Sequence, residues 1–168
     1  MKQPGKRKGK KMTLHLPQQL PLSLQAAKKT DVRTQFGALV YRVVNDKVQI
    51  LLITSRGTKR WIVPKGWPMP GMTPAQAAKQ EAWEEAGVKG KASNHCLGLY
   101  SYRKALDKKR NIPCVVLIYP VKARSLAKDF PESGQRRSKW FSQKKAAAKV
   151  SEPELAQIIE TFNPRLLR

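Results

Sequence analysis

The chain has 168 residues, with 34 Lys and Arg against 11 Asp and Glu, a formal charge of +23 and 40% hydrophobic content. That length and apolar fraction fit one domain with a real core and exclude a disordered chain. Two cysteines, Cys96 and Cys114, exclude a disulfide framework, His15 and His95 are isolated, and the excess of cations points to a highly anionic partner.

The first segment is basic. Residues 1–30 hold eight Lys or Arg and no acid, so they carry +8, and the remaining 26 bases and 11 acids leave +15 on the body. This predicts a flexible basic tail over 1–30 and a folded domain over 31–168. An apolar stretch at 14–24 is interrupted by Pro17 and Pro21, and no run approaches a membrane span. The expectation is a soluble cytoplasmic protein.

Residues 34–44 and 47–54 are rich in Val, Leu, Ile, Phe and Tyr, and Asn45-Asp46 between them marks a turn, so a β-hairpin is predicted. Residues 61–63 read as a short strand entering a glycine-containing loop. Thr73 with Gln76 forms a capping box, Pro74 suits the first helical position and Gly87 the C-terminal cap, which predicts a helix over 74–86. A second apolar pair, 95–104 and 112–121, flanks a polar turn at 107–111. A strand at 139–141 precedes Ser142, a cap for a helix near 143–149, and Ser151 with Glu154 predicts a capping box for a last helix over 152–161. Strands and helices alternate irregularly, with hairpins, which argues against a doubly wound nucleotide-binding fold.

The chemistry is concentrated on the 74–86 helix. Three of the eleven acidic residues, Glu81, Glu84 and Glu85, stand within five positions. At about 100° per residue, Glu84 lies roughly 60° to one side of Glu81 and Glu85 roughly 40° to the other. Like charges so placed destabilise a helix unless a cation sits among them, and hard oxygen ligands suit Mg²⁺ or Mn²⁺.

Residues 66–88 resemble the Nudix box, G-x5-E-x7-R-E-U-x-E-E-x-G-U, with Gly66, Glu81, Glu84, Glu85, Gly87 and Val88 in register. Met72 stands at the first Glu, Gln80 at the Arg and Ala82 at the first aliphatic position. The run Trp61-Ile62-Val63-Pro64-Lys65-Gly66 before the box, and Trp140-Phe141-Ser142 and Pro153-Glu154-Leu155 after it, are also similar to a Nudix domain, so the resemblance covers about residues 33–162. Within the superfamily it looks closest to the diphosphoinositol polyphosphate and diadenosine polyphosphate hydrolases.

The resemblance implies an α/β fold, an α/β/α sandwich around a mixed β-sheet, and Mg²⁺- or Mn²⁺-dependent hydrolysis of a diphosphate linkage in a polyphosphorylated small molecule. It implies Glu81, Glu84 and Glu85 as catalytic residues and, with the Gly66 carbonyl, as metal ligands, with Glu84 a further ligand or the base. In the family the box Arg orients a neighbouring Glu; Gln80 can hydrogen-bond but cannot form a bidentate ion pair. Arg33, Arg56, Arg60, Lys65 and Arg110 are the candidate phosphate contacts, and Trp67 and Tyr102 offer rings for a base. The charge admits two alternatives: an RNA- or ribonucleoprotein-binding protein with a weakened Nudix domain, and an RNA 5′ pyrophosphohydrolase.

Overall fold

The computed structural model describes residues 32–167, so the predicted basic tail, with His15 and the apolar stretch at 14–24, lies outside the described residues. The first hairpin forms as predicted. Strands β1 (Arg33–Val44) and β2 (Lys47–Thr54) pair antiparallel through Asn45 and Asp46, at φ 49° and 59°. Both are residues that tolerate the left-handed region, and two such residues in succession give a turn matching the twist of the strands.

The remaining strands extend this hairpin on both sides. Strand β3 (Trp61–Ile62) and β8 (Ser138–Ser142) pair with β2, while β4 (Lys65–Gly66) pairs with β1. On its other side β1 runs parallel to β7 (Asn111–Leu126), whose first part pairs antiparallel with β6 (Gly98–Ala105) and whose last part pairs with β5 (Val88–Ala92). The sheet is therefore mixed. The predicted second pair is present, but β7 runs five residues past the expected end because β5 supplies a partner there. Neither β4 nor β5 was predicted: Val-Lys-Gly-Lys-Ala has little apolar alternation, and pairing with β7 makes it a strand.

Helices cover both faces. Alternate side chains of β1, β2 and β7 point to opposite sides. Ala38, Val40, Leu51, Ile53, Tyr119 and Val121 form one core with helix α1 (Pro74–Ala86). Leu39, Tyr41, Ile50, Leu52, Val116 and Ile118 form the other with helices α2 (Gln143–Lys149) and α3 (Pro153–Thr161). The architecture is the expected α/β/α sandwich. Among the described residues no helix is long and apolar enough to cross a membrane.

Helix α1 has the predicted bounds and both hydrogen bonds of its capping box, Gln76 N–H to Thr73 Oγ1 at 3.2 Å and Thr73 N–H to Gln76 Oε1 at 2.8 Å. Its buried face is mostly alanine, which brings the helix close to the sheet and favours the helical state. Ser142 caps α2, accepting from Lys145 N–H at 3.4 Å. The predicted capping box on α3 is absent: the N-cap is Glu152, it makes no side-chain cap bond, and Glu154 is buried. Pro153, with its fixed φ and missing N–H, sets that start instead.

Gly87 ends α1 at φ 67°, and a Cβ there would lie 2.6 Å from the Phe130 ring and 2.9 Å from the Ala127 carbonyl. Gly87→Ala should therefore cost more than the roughly 1–2 kcal/mol of left-handed strain alone, and more than the roughly 1 kcal/mol expected for Thr73→Ala. Urea unfolding of the two variants gives the order directly.

Candidate active site

A cavity of about 570 Å³ opens between α1, the β3–β4 region, β6 and the loop from β7 to β8. Glu81, Glu84 and Glu85 all line it, as their helical spacing requires, and so does Gly66. Glu132, from the β7–β8 loop, and Glu152, ahead of α3, bring the acidic residues here to five of the chain's eleven. Arg56, Arg60 and Lys65 face them, joined by Arg103, Lys104 and Arg136. The cavity is thus a bed of carboxylates ringed by cations.

The three helix carboxylates are held differently. Glu85 is 7% exposed and both its oxygens are engaged. Arg136 Nη2 donates to Oε1 at 2.6 Å, and the Lys65 backbone N–H donates to Oε2 at 3.1 Å. Burial raises the Glu85 carboxyl, and Arg136 and Lys65 oppose that rise without cancelling it. Arg136 also donates from Nε to Glu132 at 2.8 Å and from Nη1 to the Thr54 carbonyl at 3.2 Å. One guanidinium therefore ties helix, loop and sheet.

Glu84 accepts from Gln80 Nε2 at 2.7 Å, so the amide at the box Arg position still steadies a carboxylate one turn away. Glu81 has no hydrogen bond or ion pair with any described residue. Burial, and then the charges of Glu85, Glu84 and Glu132, push its carboxyl up to about 7. It lies so close under Gly66 that a Cβ there would overlap its carboxylate, so any larger residue at that position would push the Glu81 side chain aside. The donor set is chemically suited to a hard divalent cation: several carboxylates, one without a protein partner, beside a backbone carbonyl. As the side chains stand, no three acidic groups among the described residues converge tightly enough to enclose an ion.

The cationic wall is partly paired. Arg56 meets Glu132 at 3.7 Å and Arg60 meets Glu152 at 3.1 Å, both with the arginine well exposed. Lys65 makes no ion pair among the described residues; its ammonium lies 4.9 Å over the Tyr102 ring, and burial lowers its pKa. Lys104 lies 4.8 Å over Trp67. Each of the two rings expected to offer a face for a base thus has a lysine against one face. Arg33 and Arg110 do not line the cavity: Arg33 sits opposite Cys114 at the start of β1, and Arg110 pairs with Asp107 in the β6–β7 turn at 2.6 Å.

Sequence reasoning passed over Arg136, Glu132 and Glu152. Arg136 stands in an irregular stretch with no periodicity, beside Arg137, so its neighbours in sequence give no sign of it. The two glutamates carried a usable signal. In a chain with 11 acids among 34 bases, every acid without a cation beside it in sequence to explain it is a candidate.

A family model described as the NUDIX domain matches residues 33–162. Human diphosphoinositol polyphosphate phosphohydrolase 3-beta is 33% identical over 105 residues, covering 61% of this chain and 60% of that protein. Nudix hydrolase 12, mitochondrial, of Arabidopsis thaliana is 27% identical over 120 residues, 70% of this chain and 59% of that protein. The chain thus spans about 60% of the length of these curated relatives. Among solved structures, Ap4A hydrolase of C. elegans is similar with a TM-score of 0.57 at 20% identity, covering 80% of this chain and 98% of that one. The E. coli dihydroneopterin triphosphate pyrophosphohydrolase is similar with a TM-score of 0.59 at 17% identity, covering 77% and 93%. At those identities the structural likeness bears on the fold alone.

Arg136→Leu should lower stability by about 3 kcal/mol, because it leaves two carboxylates charged and poorly paired, one of them buried. In a double-mutant cycle with Glu85→Gln the two losses should fail to add, with a coupling of about 1 kcal/mol or more by urea unfolding. A coupling near zero would mean that Glu132 and Thr54 alone hold the guanidinium.

Proposed function

The chain belongs to the Nudix family, and from that premise we propose that it is a divalent-cation-dependent hydrolase cleaving a diphosphate linkage in a small, polyphosphorylated substrate. The observation that carries this reading is the cavity itself, where five carboxylates and six cations face one another. A carboxylate cluster alone would repel phosphate, and a basic cleft alone would bind phosphate without chemistry. The combination suits a metal held on one wall and a polyanion held by the other.

Glu81, Glu84, Glu85 and Glu132, with the Gly66 carbonyl, would hold Mg²⁺ or Mn²⁺. When bound, such a cation neutralises charge on the diphosphate and lowers the pKa of a coordinated water. Arg136 and the Lys65 N–H oppose the effect of burial on Glu85 and fix its direction. Gln80 fixes the direction of Glu84, which would serve as a further ligand or take the proton from the attacking water. Arg56, Arg60, Lys65, Arg103 and Lys104 would bind the substrate's phosphates, and the exposed pairs of Arg56 and Arg60 are weak enough to be exchanged for them. The name of the human relative favours a diphosphoinositol polyphosphate as substrate.

Phosphate release should be screened over diphosphoinositol polyphosphates, dinucleoside polyphosphates and nucleotide sugars with Mg²⁺ or Mn²⁺. Glu81→Gln should reduce turnover of the best substrate by about 100-fold or more. Without added cation the same variant should unfold at an equal or higher temperature, because it removes one charge from a cluster of like charges and breaks no protein hydrogen bond. Turnover near the wild-type rate at saturating metal would remove Glu81 from the site.

A further inference from the structure

The acidic residues are not only clustered; their clustering leaves another face of the molecule without any. Of the acids outside the active-site cavity, Asp46 and Asp107 lie in hairpin turns, Asp129 in the β7–β8 loop, and Glu154 and Glu160 on α3. Asp31 is outside the described residues. Behind α1, where that helix meets β5, lies a larger concavity of about 740 Å³ whose lining includes Lys79, Lys89, Arg124 and Trp83 and no acid. Arg124 also lines two neighbouring concavities, one of about 320 Å³ with Lys79 and Lys91, the other of about 300 Å³ with Arg42 and Trp140. The three adjoin at Arg124 and none has an acid in its lining, so they count as one acid-free groove beside α1 and β5.

The cations of this groove are uncompensated. None of Lys79, Lys89, Lys91 or Arg124 has an ion pair among the described residues. The register shifts at Lys89-Gly90, a bulge of the kind that re-aims side chains, and the Lys89 ammonium lies 5.8 Å over the Trp83 ring. A Cβ on Gly90 would overlap the Lys122 backbone, so the bulge requires glycine. At the other end Arg42 lies 4.3 Å over Trp140. Met72, also on the groove, stands where the box pattern has a glutamate, so the departure removes an acid from this very surface.

We propose that this groove binds the backbone of single-stranded nucleic acid, at a surface separate from the hydrolytic cavity. Its form favours a polymer: cations spaced through three linked concavities suit successive phosphates of a chain better than one compact polyphosphate. Its two partly exposed indoles, each beside a cation, suit bases stacked between phosphate contacts and distinguish the groove from a merely basic surface for an acidic peptide.

The test uses the full-length protein, with fluorescence anisotropy of labelled U12 RNA and dT12 DNA over a salt titration. Replacing Lys79, Lys89 and Arg124 together by Gln should weaken both about tenfold or more near physiological salt, and flatten the log–log salt slope by about 2, at roughly 0.7 per lost phosphate contact on a single strand. Hydrolysis of a small diphosphate should be unchanged in that variant. A matched control, Lys144, Lys145 and Lys149 replaced by Gln on α2, should change affinity by less than about threefold. Equal losses in the two variants, or an affinity within twofold of wild type in the first, would overturn the proposal. Trp83→Leu, compared on U12 and on inorganic polyphosphate, should weaken the RNA more; equal effects would reduce the groove to charge alone and also overturn it. Poly-glutamate competing as strongly as U12 would assign the groove to an acidic protein instead.

Discussion

The site depends on one buried ion pair. Glu85 is fixed in the helix by the same periodicity that gives the carboxylate face, yet its side chain lies against the sheet, where an isolated carboxylate would protonate rather than stay charged. The Arg136 guanidinium, itself 7% exposed in its side chain, meets it at 2.6 Å. Because the same group reaches Glu132 and the Thr54 carbonyl, the β7–β8 loop cannot leave α1 without exposing or orphaning a charge. The backbone follows suit: Glu132 N–H donates to the Glu84 carbonyl at 2.9 Å and Ala127 N–H to the Gly87 carbonyl at 2.8 Å. Helix end, loop and sheet edge are thereby locked as one unit around the cavity.

Within that unit the other carboxylates are held less firmly, and the gradation has a chemical sense. Glu84 leans on a neutral amide and Glu81 on no described residue, so repulsion and desolvation fall on Glu81, whose oxygens are left to a cation or a water. The departure from the box at Gln80 therefore does not leave the cluster without a cation; arginine enters from residue 136, outside the box, and pairs with Glu85 while glutamine steadies Glu84.

Helix α1 separates two electrostatic environments. Toward the cavity it presents three carboxylates; on the far side it presents Lys79 and Trp83 to a groove continued by Lys89, Lys91 and Arg124. Alanines between the two faces pack on the sheet. In a chain of charge +23, gathering five of eleven acids in one place leaves few to offset the cations elsewhere, and the proposed second binding face follows from the same arrangement as the proposed active site.

Local chemistry was legible in the sequence. Thr73, Pro74, Gln76 and Gly87 set the bounds of α1, Asn45-Asp46 the first hairpin, and the 3.6-residue period the shared face of Glu81, Glu84 and Glu85, because each rests on interactions within a few residues. Where a partner came from afar, sequence reasoning missed or misplaced the feature. Strand β5 exists through β7, α3 begins at Pro153 rather than through a Ser151–Glu154 box, and Arg33 and Arg110, plausible phosphate contacts by type, lie away from the cavity that Arg56, Arg60 and Lys65 share. Arg136 is the clearest case: it stands 51 residues from Glu85, in an irregular loop, and no local pattern anticipates a contact that only the return of the chain across the sheet creates. The sequence by itself determined the helix, its carboxylates and the net charge. The tertiary structure decided which of those charges are paired, which are buried and which are left facing outward, because burial and pairing are properties of distance in space.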